Sequence, residues 1–579
     1  MKSKFLVFLV ISAISLFGQN VNIKLIETTD CHGAIYPFSF RDNQPSKFSL
    51  AQVYSYVKSE RENHNQNVLL LNNGDILQGT PDVYFYNFVN TTSPHLFAEV
   101  MNFMKYDVGS VGNHDIETGH SVYDRFRNQI NFPWLAANAI NETTNEPYFQ
   151  PYTIFEKENV KIAVLGMITP AIPNWLPKIL WENMFFDDMV STAEKWTKII
   201  EEKENPDLLI GLFHSGVNEN GNSNYGEENA SNIVAQKVKG FDVVFVGHDH
   251  HGWNFKIQND FGDSVLVIGG TSSARTFATV DILLEKNGNS FSIKNLKGNL
   301  VDASQFVADK EFMEKFSPQF DEIKKWVNQP IGEFTKQINS QDALFGESEF
   351  VDLIQKIQLD LTNADISFAA PLNMNTSIDS GKIYIRDLFK LYHYENFLYT
   401  MQLSGKEIKD ILEYSAEKWF NLMKDENDNL LKFEKDENGK LIFSERTNSP
   451  KLSGLFYNFE SAAGINYVID VTKPKWEKVK ITSLANGELF DFTKIYKVAV
   501  NSYRGNGGGG HLTFGAKIPK EELSKRILSS TDRDLRFLMM NWIIEKKVVQ
   551  PTLFGNWKLV PTEFVRKAAE NDKKLMFDK

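Results

Sequence analysis

Along the first half of the chain, short apolar runs alternate with stretches in which apolar residues recur every three or four positions. The runs read VNIKLIETT from Val21, NVLLLNN from Asn67, YDVGSVG from Tyr106, VKIAVLGMI from Val160, DLLIGLF from Asp207 and FDVVFVG from Phe241. Near-continuous apolar runs of this length suit strands covered on both faces. Between them, Leu50 to Asn63, Ser93 to Met104 and Val190 to Glu202 carry a helical period. Strand–helix alternation predicts a layered α/β domain over residues 20–305. After about residue 300 the pattern changes. ADKEFMEKFSPQFDEIKKWVNQP predicts a helix ending near Pro330, read as a linker over 306–330. Beyond it, helical runs such as GKEIKDILEYSAEKWFNLMK mix with strands such as KVKITSL and IYKVAV, predicting an α+β domain over 331–545. Lys424 to Gly439 is polar and predicts an exposed loop with an Asn438-Gly439 turn. Residues 546–579 read as a C-terminal tail.

The chain has 579 residues, too many for one core, which supports two domains. A net charge of −12 argues against binding a nucleic-acid duplex. It leaves room for a small anionic substrate at a site made locally positive by metal ions. The first residues, MKSKFLVFLVISAISLFGQN, place two lysines before an apolar run that ends in small and polar residues. That is the pattern of a secretory signal peptide over 1–19, too short for a usual membrane span. No later segment is long enough to span either, so an exported chain, periplasmic or extracellular and without an integral span, is expected. Cys31 is the only cysteine, so no intramolecular disulfide is available.

The chemistry follows the strands. Asp30 and His32 come after the first run, in DCHG; Asp75 after the second, in GD; Asn113 and His114 after the third, in GNHD. His214 ends the fifth run, and GHDHH, with His248 and His250, follows the sixth. In open α/β sheets, ligands gather at the carboxyl ends of strands. The donors are nitrogen and oxygen without paired thiolates, which suits zinc, manganese, iron(II) or cobalt. Seven residues, with the carboxylate of Asp75 shared, furnish four contacts to each of two divalent ions. Two such ions hold a hydroxide and clamp an in-line displacement. Asp249 reads as a turn residue, His251 as solvent-facing and Cys31 as a small core residue.

The ordered set DCHG, GD, GNHD, H and GHDHH resembles the calcineurin-like metallophosphoesterases. SGKEIKDILEYS and VNSYRGNGGGGHL resemble the C-terminal domain of the 5′-nucleotidase family. The resemblance implies a layered sandwich of two sheets flanked by helices, with a second α+β domain that binds the substrate. It implies that Asn113 binds metal and faces the substrate. His114 would act on the phosphate, and Glu117, three residues later, would orient His114. Asp115 has no catalytic role in this reading. The resemblance further implies two aromatics around a nucleobase: Tyr503, and one of Phe456, Tyr457 and Phe459, with Phe459 preferred. Two departures stand out. ADISFAAPLNMNTSI lacks the family's arginine segment, leaving Arg386 and Arg504 to supply positive charge, and Gly509 replaces an acidic residue. The expected activity is removal of phosphate from nucleoside 5′-monophosphates. The alternatives are hydrolysis of 2′,3′-cyclic nucleotides or of UDP-sugars. A rival of another class is a secreted binding protein on an inactive phosphoesterase scaffold.

Overall fold

The computed structural model describes residues 20–219, 226–288, 290–444 and 447–578; the expected signal peptide lies outside them. Twelve of the strands described in the first half make its two main sheets: β1 Asn20–Thr28, β2 Asn67–Asn73, β3 Val108–Ser110, β4 Trp134–Leu135, β5 Tyr152–Lys157, β6 Val160–Ile168, β7 Leu208–His214, β8 Val243–Val246, β9 Trp253–Gln258, β10 Ser264–Gly269, β11 Thr276–Asn287 and β12 Ser290–Asp302. They form two six-stranded sheets, ordered β12-β11-β1-β2-β3-β4 and β9-β10-β8-β7-β6-β5. The two-sheet sandwich expected from the resemblance is the fold seen. The inner strands run parallel, β1 with β2 and β3, and β6 with β7 and β8.

Strand alternation explains the layering. In β7, Leu208, Ile210 and Leu212 point between the sheets, while Leu209 and Phe213 point outward. Side chains of β1, β2, β6 and β8 divide the same way, so both faces of each inner strand are apolar. Helices Met189–Glu204 and Ser231–Lys237 cover the outer face of the second sheet. Leu50–Glu62, Leu96–Met104 and His120–Arg127 cover that of the first. Cys31 is fully buried in this last layer.

The second half centres on a five-stranded sheet, ordered Ser461–Ala463, Ile366–Ala369, Ile495–Asn501, Phe397–Ser404 and Ile527–Asp534. Helices Glu349–Thr362 and Gly405–Trp419 bury their apolar stripes against it. Ser404 caps the second of these through a reciprocal bond with Glu407.

Three local readings need correction. Residues 306–330 are not one linker helix. Helices Lys310–Lys315 and Ser317–Val327 meet at Phe316, where Pro318 starts a new helix. Phe312, Phe316, Ile323 and Val327 lie in the first domain's core, so the segment packs rather than tethers. Residues 546–579 are not a tail. Trp557–Val560 pairs in parallel with Ile465–Asp470, and helix Thr562–Phe577 buries Ala568 and Met576. The polar stretch at 424–439 is not wholly exposed either. Leu430 and Leu431 are buried, and the carboxylate of Asp572 on the last helix accepts from the Leu431 N–H at 2.8 Å.

The halves meet closely. The Tyr84 hydroxyl donates to Asp534 across the boundary at 2.8 Å, and the Arg536 guanidinium lies 4.9 Å above the Tyr84 ring.

Candidate metal centre and its cavity

The residues after the carboxyl ends of β1, β2 and β3 in one sheet and at or after those of β7 and β8 in the other are brought together. Each expected ligand emerges there. The turns that carry them use strained backbone: Asp30, His32, Asp75, His248 and His250 have φ of 48°, 46°, 54°, 75° and 61°. Positive φ at residues with side chains costs free energy and gathers at functional sites.

Local bonds hold the turns. The Asp115 carboxylate accepts from the backbone N–H of Asp75, Ile76 and Leu77 at 3.1, 2.9 and 2.9 Å, and from Gly112 at 2.8 Å. It ties the turn after β2 to the turn after β3. Gly112 allows the close approach: a Cβ there would stand 2.1 Å from Asp75 Oδ1. Asp249 accepts from the Val217 N–H at 3.0 Å and the Trp253 indole at 2.9 Å, and His251 is exposed.

The side chains converge in two clusters, Asp30 with His32 and His250, and Asp75 with His214 and His248; within each, the donor atoms lie within 4.8 Å of one another. Asn113 Oδ1 joins the second, 3.1 Å from His214 Nε2 and 2.8 Å from His248 Nδ1. Asp75 stands between them. Its Oδ1 accepts from the His114 N–H at 2.8 Å. Its Oδ2 is buried without a hydrogen bond, 3.0 Å from His214 Nε2 and 3.9 Å from His32 Nε2.

Electrostatics give the same picture. Burial alone would raise the Asp75 carboxyl, but His214 and His114 hold it well below its usual value. Burial works against His214, yet Asp75 and Asp30 push it up to about 9. His32 falls to about 4, mainly through burial. Buried carboxylates here demand positive charge that the protein alone supplies only by protonating imidazoles. The fit to cations rests on the convergent nitrogen and oxygen donors and the unbonded Asp75 oxygen.

His114 stands apart from the clusters' donor atoms. Its Nδ1 is hydrogen-bonded to Glu117. Burial opposes its charge, but Asp75 and Glu117 push it up to about 10, and the ring lines the cavity.

That cavity, of about 1040 Å³, is lined by both halves. Asn113, His114, Glu117, His248 and His250 form one wall, and Tyr394, Tyr414, Tyr457, Tyr503 and Lys418 the other. Tyr503 lies in it, with Gly508 packed against its ring. Phe459 does not: it is fully buried and stacks on Trp419 at 5.1 Å between ring centroids. Tyr457 is the aromatic of that segment that reaches the cavity. The short helical turn at Phe456–Asn458 rotates successive side chains, so a step of two residues exchanges cavity for core.

Arg504 does not reach the cavity either. It is 2% exposed, with Nε donating to Glu460 at 2.8 Å and Nη2 to Asn458 at 3.2 Å. Gly509, with φ of 68°, closes over it; a Cβ there would meet Arg504 and Asn458 at 2.2 and 2.3 Å. Arg386 bonds Asn328 and stacks on Tyr384 at 4.1 Å. Among the described residues, no arginine lines the cavity, and Lys418 and Lys520 are its second-domain cations. Sequence reasoning missed Glu228, whose Oε1 lies 3.0 Å from His248 Nε2. It follows no strand, and its place in GEENA carries no recognisable spacing.

The geometry defines a metal-dependent phosphoester hydrolase, and comparison with known proteins agrees. Residues 23–252 match the calcineurin-like phosphoesterase family and residues 330–516 the 5′-nucleotidase C-terminal domain. The chain thus pairs a calcineurin-like phosphoesterase domain with a 5′-nucleotidase C-terminal domain. It is 26% identical over 94% of its length to the trifunctional nucleotide phosphoesterase protein YfkN of Bacillus subtilis, and spans only 39% of that protein. It is also 26% identical to the 2′,3′-cyclic-nucleotide 2′-phosphodiesterase/3′-nucleotidase of Haemophilus influenzae, over 94% of this chain and 88% of that one. The crystal structure of a putative 5′-nucleotidase from Staphylococcus aureus superposes with a TM-score of 0.75 at 20% identity, covering 93% of this chain and 99% of that one, which shows the shared fold.

Proposed function

We propose that the chain hydrolyses nucleotide phosphoesters outside the cytoplasm. Within that class, 2′,3′-cyclic nucleotides rank ahead of the 5′-monophosphates expected from the motifs. The observation that carries this ranking is the engagement of Arg504 and Arg386 elsewhere, which leaves the cavity lysines rather than a guanidinium clamp. A cyclic phosphodiester carries one negative charge, whereas a phosphomonoester approaches two at neutral pH. The cyclic ester therefore asks less of the second domain. The Haemophilus influenzae relative, matched over most of both chains, bears that activity in its name.

Asp30, His32, Asp75, Asn113, His214, His248 and His250 would hold two divalent ions, with Asp75 between them. Such ions supply Lewis acidity and an activated water for in-line displacement at phosphorus. Glu117 holds the His114 ring through Nδ1, so that Nε2 can present a proton to the departing ribose oxygen. Tyr457 and Tyr503 orient the base. Tyr457→Ala and Tyr503→Ala are each expected to raise the nucleotide KM about five- to a hundredfold, the worth of one stacking face, and to spare a base-free aryl phosphate. Phe459→Ala should instead cost about 3–5 kcal/mol of stability and leave KM unchanged. Denaturant titrations and kinetics on the three variants separate these roles.

Kinetics with manganese, zinc or cobalt on 2′,3′-cyclic AMP, 3′-AMP, 5′-AMP, UDP-glucose and an aryl phosphate test the reading. The expected result is the highest kcat/KM on the cyclic ester. A clear preference for 5′-AMP would reverse the ranking, and no turnover of any ester would favour the inactive binding scaffold.

Export rests on the N-terminal run. N-terminal sequencing of the exported protein is expected to begin near Gln19 to Val21; Met1 retained on a membrane-bound form would contradict it. Among the described residues, no helix is long and apolar enough to cross a membrane.

A further inference from the structure

The four clustered histidines are not held alike. His32 Nδ1 lies 3.1 Å from the carbonyl oxygen of Gln78, and His214 Nδ1 lies 2.5 Å from that of Asn73. Both rings therefore turn Nε2 toward the clusters, backed by a neutral oxygen. His248 is reversed. Its Nδ1 faces Asn113 Oδ1 at 2.8 Å, and its Nε2 lies 3.0 Å from Glu228 Oε1. It is the ring of these three that is backed by a full negative charge.

Glu228 is also set in place. Its carbonyl oxygen accepts from the Thr169 hydroxyl at 2.9 Å and from the Ser215 hydroxyl at 2.8 Å. Ser215 directly follows His214, so the same short stretch carries a clustered histidine and anchors the backbone of Glu228. The Glu228 side chain is 45% exposed and lines the cavity that Tyr457 and Tyr503 also line. Among the described residues, its Oε2 has no hydrogen-bond partner.

We propose that Glu228 is a positioning and specificity residue: Oε1 fixes His248 with Nδ1 as its metal-facing nitrogen, and Oε2 presents negative charge to the bound nucleotide. The first part rests on the reading of His248 as a ligand of a two-ion centre. A carboxylate behind an imidazole fixes its tautomer and raises its basicity, and loss of such a partner costs about 10- to 100-fold in metal affinity. The second part follows from like-charge repulsion. A carboxylate on the cavity wall disfavours a nucleotide bearing a second phosphate on that side and leaves one with a hydroxyl there unharmed.

Two substitutions divide the roles. Glu228→Gln keeps an oxygen that accepts from His248 Nε2–H and removes the charge, whereas Glu228→Ala removes both. Metal-free wild type and both variants are titrated with manganese against a chelating indicator, with thermal unfolding as a check on the fold. Glu228→Ala should weaken one of the two sites about 10- to 100-fold and spare the other, with Glu228→Gln recovering most of the loss. Equal affinities in wild type and Glu228→Ala would overturn the positioning role, and a wild type that binds fewer than two ions would overturn the centre on which it rests. The second reading compares kcat/KM for adenosine 3′-phosphate and adenosine 3′,5′-bisphosphate. Glu228→Gln should reduce the preference for the first by about tenfold. An unchanged ratio would overturn the specificity role while leaving the metal result intact.

Discussion

Asp75→Asn is expected to empty both clusters. The carboxylate is fully buried, and its Oδ2 has no hydrogen bond although two imidazole nitrogens from different clusters approach it at 3.0 and 3.9 Å. An amide in its place loses the negative charge. It also brings either an N–H group toward those nitrogens or an oxygen too weakly charged to hold two cations. The backbone turn should survive, because Asp115 rather than Asp75 gathers its N–H groups. Bound metal should therefore fall from two ions per chain to below one without loss of the folded state. Turnover should drop by on the order of 10³ or more, since ions at such a centre contribute several kcal/mol to the barrier. Asn113→Ala should behave differently, because Asn113 Oδ1 touches only His214 and His248 among the clustered histidines. It should weaken one site and leave the other. Elemental analysis of both variants checks the contrast, and full two-ion occupancy in Asp75→Asn would remove Asp75 from the bridging position.

His114→Asn is expected to lower turnover by roughly 10²–10⁴ with metal content unchanged. Its ring lies beside the clusters, not in them: Nδ1 is committed to Glu117, and its backbone N–H supports Asp75. Asn keeps that backbone bond and loses the charged donor. Glu117→Gln should produce a smaller fall, because an amide still orients the ring but no longer favours its protonated form. Single-turnover kinetics on metal-loaded protein measure both variants. Loss of metal from His114→Asn would make His114 a ligand and leave the proton donor unassigned.

The sequence showed the strands well because they are parallel and buried on both faces, so VKIAVLGMI and DLLIGLF stand out as continuous apolar runs. Each clustered residue follows such a run by only a few positions. That proximity made Asp30, Asp75 and His214 readable before any geometry. The order of strands in each sheet was not readable, since hydrophobic period reports that a face is buried and not which neighbour buries it. Arg504 illustrates the same limit: beside a glycine run it resembles an anion clamp, but Glu460, Asn458 and the Gly508 carbonyl claim its donors. Phe459 and Tyr457 differ by two residues in one tight turn, below the resolution of a periodicity argument. Glu228 sits in a polar loop, where a side chain that backs a ring looks like any solvated carboxylate. The last strand and helix were read as a tail because Trp557–Val560 finds its partner, Ile465–Asp470, far away in sequence.

The most direct test of the two-ion phosphoesterase is a titration of metal-free protein with manganese, followed by hydrolysis of 2′,3′-cyclic AMP at each step. The account predicts little activity at one ion per chain and a rise that saturates at two. Full activity at one ion, or in the presence of excess chelator, would contradict it.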